Sequence, residues 1–172
     1  MVSGRNYFIP EKLKEKLNNH SDWIASLGSS GKRLFLEERE YKNLELGSYL
    51  LNKAIFEKCI LNCIAFGHLP EAEFKECFFI FGELIDSVCK GAKFTNCTFY
   101  DVCFEEADMT NCTFENCVFK NCDFCGAVIK DAVIRNTVFD CSGYAAEIFN
   151  PKIENLVITN LEPNSRIIID LE

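Results

Sequence analysis

The sequence predicts an all-β solenoid, and two observations carry that prediction. The first is an apolar residue at every fifth position from Phe74 to Phe139, through Phe79, Leu84, Cys89, Phe94, Phe99, Phe104, Met109, Phe114, Phe119, Phe124, Ile129 and Ile134. The second is a compact residue two places before each of these centres: Ala72, Cys77, Gly82, Ser87, Ala92, Cys97, Val102, Ala107, Cys112, Cys117, Cys122, Ala127, Ala132 and Thr137. A helix repeats its apolar stripe every 3.6 residues and a strand every 2. A period of five fits neither, so each quintet is one backbone unit, extended and then bent. Such units stack into a solenoid whose core is built from the two inward positions.

The register continues past one phase change on each side. Upstream the centres are Leu36, Tyr41, Leu46, Leu51, Phe56, Leu61 and Phe66. Their compact positions are poorer there: Ala54 and Cys59 fit, whereas Arg39 and Tyr49 are too large. Three extra residues are read in the turn-like stretch Gly67-His68-Leu69-Pro70-Glu71. Downstream, four extra residues are read around Ser142-Gly143-Tyr144-Ala145, and the centres resume at Ile148, Ile153 and Ile158. A solenoid is therefore expected over residues 34–160.

Stretches such as AKFTN-CTFYD (residues 92–101) and CTFEN-CVFKN-CDFCG (residues 112–126) resemble the pentapeptide-repeat family. Its quintets carry a small residue, often Ala or Cys, two places before a Leu or Phe. The resemblance implies a right-handed quadrilateral β-helix with four quintets per square coil. About six coils would span about 29 Å at the usual strand spacing. Physical chemistry agrees: phenylalanines stack along the axis, each burying ~150–250 Å², and cysteine serves as a small hydrophobe near the corners.

A solenoid needs its ends covered. Residues 10–27 read as an N-terminal capping α-helix, with Leu13, Leu17, Ile24 and Leu27 at helical spacing. Pro10 suits the first helical position and Gly28 a C-terminal stop. Trp23 and the leucines are expected to cover the first coil, leaving Met1–Ile9 outside it. After Pro163, the β-prone run Arg166–Leu171 is expected to cap the rod or to pair with a second copy as a homodimer. At 172 residues, the chain is expected to be a single domain, 1–172.

Composition narrows the function. A formal net charge of −8 disfavours direct nucleic-acid binding, which needs a basic surface to displace counterions. No apolar run approaches the ~18 residues of a membrane span, and MVSGRNYFIP lacks the apolar core of a secretory signal. A cytoplasmic protein is expected, with its 11 cysteines reduced and mostly buried. The pair Cys122 and Cys125 forms a CxxC, but the register turns Cys122 inward and Cys125 outward, so no metal site is expected. His20 falls on the cap helix, as a surface or packing residue, and His68 in the interrupting turn. The chain lacks a nucleophile elbow, a phosphate-binding glycine loop and a zinc-protease motif. No catalytic residue, no cofactor and no enzymatic activity are expected.

What remains is the outside of the rod, where every twentieth residue falls in one column. One face gathers Glu83, Asp86, Glu105, Glu106 and Asp123, with Ile85, Cys103, Cys125 and Gly126, and Glu147 is read as extending it. Another carries Phe78, Ile80, Phe81 and Tyr100 in its most apolar part. The apolar face predicts a protein–protein interaction scaffold with a partner the sequence does not identify. The family resemblance implies an alternative for the acidic face: some members imitate duplex DNA and bind type II topoisomerases such as gyrase, protecting bacteria from quinolones. The acidic face carries a charge about every 3 Å by the strand spacing, against one per ~1.7 Å on duplex DNA. The phase changes also leave no room for the sizeable loops that such members often carry. The turn at Gly67–Glu71 and the cap helix could instead fold over Phe78 and Phe81 and cover them.

Overall fold

The computed structural model describes residues 8–140, 146–160 and 167–171. One helix, α1 (Glu11–Ala25), precedes the strands β1 (Phe35–Glu37), β2 (Glu40–Glu45), β3 (Ile55–Glu57), β4 (Ile60–Ala65), β5 (Glu73–Lys75), β6 (Phe78–Ile80), β7 (Lys93–Thr95), β8 (Thr98–Tyr100), β9 (Thr113–Glu115), β10 (Val118–Lys120), β11 (Val128–Lys130), β12 (Val133–Asp140), β13 (Ala146–Phe149), β14 (Lys152–Thr159) and β15 (Ile167–Asp170). They wind into a parallel β-solenoid of about six turns. Among the described residues no helix is long and apolar enough to cross a membrane.

Each coil has four sides. The first is the ladder β1-β3-β5-β7-β9 and the second β2-β4-β6-β8-β10. The long strands β12 and β14 run around the corner between them and join both ladders into one sheet. The third side is held by single bridges, Ala65 to Glu83 to Cys103 to Asp123. The fourth runs from Leu50 through His68, Val88 and Asp108 to Val128, then through β11, β13 and β15. The run expected to cap the rod or join a second chain thus supplies a strand of the fourth side, while Arg166 lies outside the described residues.

The corners explain the period. The second residue after most centres adopts a left-handed backbone, as at Asn96 (φ 54°), Asn111, Asn116, Asn121, Asp131, Asn136 and Gly91. Asn, Asp and Gly enter that region at little cost, and one such residue per quintet turns the extended chain by a corner. The centres point inward and stack as rings. Phe94 and Phe114 lie 5.3 Å apart and 9° from parallel, and Phe99 and Phe119 lie 4.4 Å apart. Neighbouring sides meet edge to face, as Phe114 meets Phe119 at 78°. The compact cysteines do more than fill space. The Sγ atoms of Cys77, Cys97 and Cys117 donate to the carbonyls of Phe56, Phe74 and Phe94 one coil back, at 3.4, 3.5 and 3.3 Å. Thr137 continues the column with its hydroxyl, donating to Phe114 O at 3.3 Å.

Both phase changes are losses, not the gains of three and four residues read from the sequence. Phe56 pairs with Phe74, eighteen residues on, whereas Phe74 pairs with Phe94, twenty on. One coil is therefore two residues short, and Leu69 fills the fourth-side core position only three residues after Phe66. Further along, Ile134 pairs with Ile153 and Phe139 with Ile158, both nineteen apart. A phase is defined only modulo five, so a gain of three and a loss of two look alike in the sequence. The strand register also moves Glu147: it pairs with Val128 on the fourth side and does not extend the acidic third.

Helix α1 ends at Ala25, and Gly28 N–H closes it by donating to Trp23 O at 2.8 Å. Pro10 is the cap residue just outside the helix rather than its first residue. Leu13 and Leu17 are buried as expected, but Leu27 lies beyond the helix end in a left-handed conformation and faces solvent. His20 takes a place on the buried stripe and is fully enclosed.

Candidate interaction surfaces

The second side presents the more apolar outer surface. Phe78 at the start of β6 is 51% exposed, Phe81 at the following corner 46% and Tyr100 at the end of β8 39%. Neither the Gly67–Glu71 segment nor α1 covers them. Phe81 meets Tyr100 edge to face at 6.1 Å, and the Lys120 ammonium lies 5.9 Å from the Tyr100 ring centre. Ile80 is half-buried beside them and pairs across to Tyr100.

The surface is longer than the sequence indicated. Strand register aligns Ile60, Phe78, Thr98, Val118, Val138 and Val157 in one outward column along the rod. Ile60, Val118 and Val157 are exposed members of it. Reading Ile60 and Val157 into this column requires the true length of both short coils, so the sequence alone broke the column at each end. A crevice of about 510 Å³ adjoins its N-terminal end, lined by Phe8, Pro10, Leu13, Tyr41, Lys42 and Leu44 among others. Burial there pushes the Tyr41 phenol above its ordinary pKa.

Phe81 has a second property. Its φ of 51° places a bulky side chain in the left-handed region, where most corners of the rod carry Asn, Asp, Gly or a long charged residue. An aromatic there is strained, and half of it faces water.

The acidic residues gather as expected on the third side. Glu83, Cys103 and Asp123 form one column, and Glu105 and Cys125 occupy neighbouring positions on successive coils. Asp86, Glu105 and Glu106 are exposed, and Glu83 and Asp123 are half-buried. Asp123 Oδ1 accepts the Cys125 N–H at 2.9 Å. Burial raises the Cys103 thiol above its ordinary pKa, and the nearby carboxylates of Asp123, Glu105 and Glu83 add to that. Cys122 is buried and Cys125 exposed, on opposite sides of the wall. His68 is not in a projecting turn: it is a regular member of the fourth-side column between Leu50 and Val88.

The family model described as pentapeptide repeats, nine copies, matches residues 84–128 and 94–142. The chain carries pentapeptide repeats across residues 84–142. Several solved pentapeptide-repeat structures are similar to it. Full-length QnrB1, a plasmid-mediated fluoroquinolone resistance protein, is 11% identical, with 73% of this chain and 94% of that chain covered and a TM-score of 0.38. A pentapeptide repeat protein of the Arabidopsis thaliana thylakoid lumen is 16% identical over 60% of this chain and 67% of that one, with a TM-score of 0.27. HetL of Nostoc sp. strain PCC 7120, involved in heterocyst differentiation regulation, is 12% identical over 88% and 91%, with a TM-score of 0.17. At these values none of the three carries an argument about what this chain binds. Comparison with curated proteins gives no match.

Proposed function

We propose that this pentapeptide-repeat protein is a non-enzymatic scaffold that binds a protein partner through the second side of its rod. The observation that carries the proposal is the exposed cluster of Phe78, Phe81 and Tyr100, in and beside the column from Ile60 to Val157. A contiguous apolar patch on a solvated rod marks a partner site better than scattered apolar residues do. Aromatic side chains in such a patch supply much of the binding energy of protein interfaces. The ten described cysteines are free thiols, in keeping with a reducing, cytoplasmic setting. A homodimer through Arg166–Leu171 is compatible with this use, because Ile167–Asp170 belongs to the fourth side and the second side stays open.

The test compares the parent with a Phe78→Thr, Phe81→Asn, Tyr100→Thr variant as bait in extract from the source cell. A protein retained by the parent, lost by the folded variant and rebinding in purified form supports the proposal. Equal retention by both baits overturns it.

The third side favours a second reading, DNA mimicry toward a type II topoisomerase, because Glu83, Asp86, Glu105, Glu106 and Asp123 share one face. Inhibition of gyrase supercoiling by the parent at low micromolar concentration, lost when these five become their amides, would put that reading first. Absence of inhibition at tens of micromolar would remove it.

A further inference from the structure

His20 is the one fully enclosed histidine of the chain's two: His68 is half-buried. It projects from α1 toward the first coil. Its Nδ1 accepts the Leu34 N–H at 3.0 Å, which places the imidazole proton on Nε2. That Nε2 is buried without a hydrogen-bond partner, and so is Oδ1 of Asn52 in the first coil. On its own helix the imidazole stacks on Trp23, with centroids 5.7 Å apart. The charged group facing it from the connection to β1 is Arg33, which pairs with Glu73 at 3.2 Å. The Asn52 main chain lies beside the ring and favours its charged form.

We propose that His20 is an acid-operated latch: its protonation releases α1 from the first coil and uncovers the N-terminal end of the rod. The neutral ring fits because Nδ1 is an acceptor. A proton added there would set two donors, Nδ1–H and the Leu34 N–H, against each other at 3.0 Å. The imidazolium would also lie in an enclosed site beside Arg33. Asn52 Oδ1, buried without a partner, makes the docked state costly to keep, since a buried acceptor without a partner forfeits its hydration. Leu13 and Leu17 are the buried apolar anchors opposing release.

The direction of titration agrees. Burial lowers the His20 pKa from the usual 6.5, the Asn52 main chain opposes this, and the Arg33 charge reinforces it. A free helix therefore takes up the proton more readily than a docked one. Docking is at full strength above about pH 6.5 and weakens as pH falls below it, by up to tenfold in the docking constant per pH unit until the docked imidazole itself titrates.

The chain has a single tryptophan, and it stacks on this histidine, so its emission reports the latch. The experiment titrates intact protein from pH 7.5 to 5.0. It follows Trp23 emission, amide exchange across residues 11–25 and the far-ultraviolet signal of the rod. The expected result is a one-proton change in Trp23 emission and at least tenfold faster exchange of the helix amides, with the strand amides still protected. In His20→Asn, whose Oδ1 can take the place of Nδ1 as acceptor, both signals should stay flat. A flat parent, or the same transition in His20→Asn, overturns the proposal. Should His20→Asn not dock its helix at neutral pH, direct NMR titration of the two histidines of the parent decides. His20 titrating below the usual 6.5 together with loss of helix protection supports the latch, and His20 titrating at or above 6.5 overturns it.

Discussion

Gly67 lies so close to Gly47 on the coil before it that a methyl group at position 67 would meet the Gly47 carbonyl oxygen at 2.6 Å and its Cα at 2.9 Å. The two-residue loss draws the chain tightly across this corner, and only a residue without a side chain leaves room. Gly67→Ala is expected to destabilise the protein by about 1–3 kcal/mol, the usual cost of forced overpacking, as read by urea denaturation. An unchanged midpoint would mean that the backbone can shift freely here.

The ring stacks set a second expectation. Phe114 is fully enclosed between Phe94 and the chain above it, so Phe114→Ala should cost about 3–5 kcal/mol by leaving a cavity. Ile153 occupies the same inward position in the last coil but is 38% exposed. Ile153→Ala should cost less than half as much. Equal losses in the same denaturation series would contradict the partial exposure of Ile153.

Corner residues should respond with opposite signs. Asn116 is left-handed (φ 53°) and donates through Nδ2 to Asn96 Oδ1 at 3.0 Å. Asn116→Val should lose about 1–2 kcal/mol, because a β-branched side chain crowds the carbonyl in that conformation. Phe81→Asn should gain up to about 1 kcal/mol by relieving the strain at φ 51°, less what the exposed contact with Tyr100 contributes. The same substitution should weaken binding of the partner. Loss of stability in Phe81→Asn would show that the aromatic earns its place by packing alone.

The buried thiols predict weakness in alkali. Burial pushes the Cys89 pKa up to about 12, with the Ser87 hydroxyl pulling the other way, and burial also raises Cys112. In the unfolded chain these thiols ionise near their ordinary value of 9.0. Between about pH 9 and 12 the unfolded state alone gives up its protons, so stability is complete below pH 9 and declines above it. Thermal unfolding at pH 8 and pH 10.5 measures the decline. Replacing both Cys89 and Cys112 by Ala should flatten part of it; no change in the pH dependence would mean these thiols do not govern it.

The inward positions were legible because packing restricts them to two kinds of residue, and repetition averages out exceptions such as Cys89 and Met109. The direction of each phase change was hidden in arithmetic modulo five, and with it Leu69 as a core residue, Glu147 as a fourth-side residue and the full reach of the Ile60–Val157 column. The left-handed corners were visible in Asn96, Asn111, Asn116, Asn121 and Asn136, all at the same place in the quintet. Reading outward positions only by charge and hydrophobicity missed them, because their constraint is backbone conformation. His20 looked like a surface or packing residue; its burial depends on the rotation of α1 against the first coil, which periodicity within the helix does not specify.

The two ends of the rod are unequal. At one, α1 encloses His20 and the first-coil leucines; at the other, Leu156 and Ile158 remain half-buried and Ile153 partly bare. Each coil contacts only its neighbours, so order can spread along the axis from whichever end is more firmly held. A ribosome delivers the N-terminal end first. The helix and first coil can then serve as a seed, and each later coil can condense on a template already in place. Construction and unravelling would run along the same axis in opposite senses, with the C-terminal coil the last to be laid down and the first to peel away.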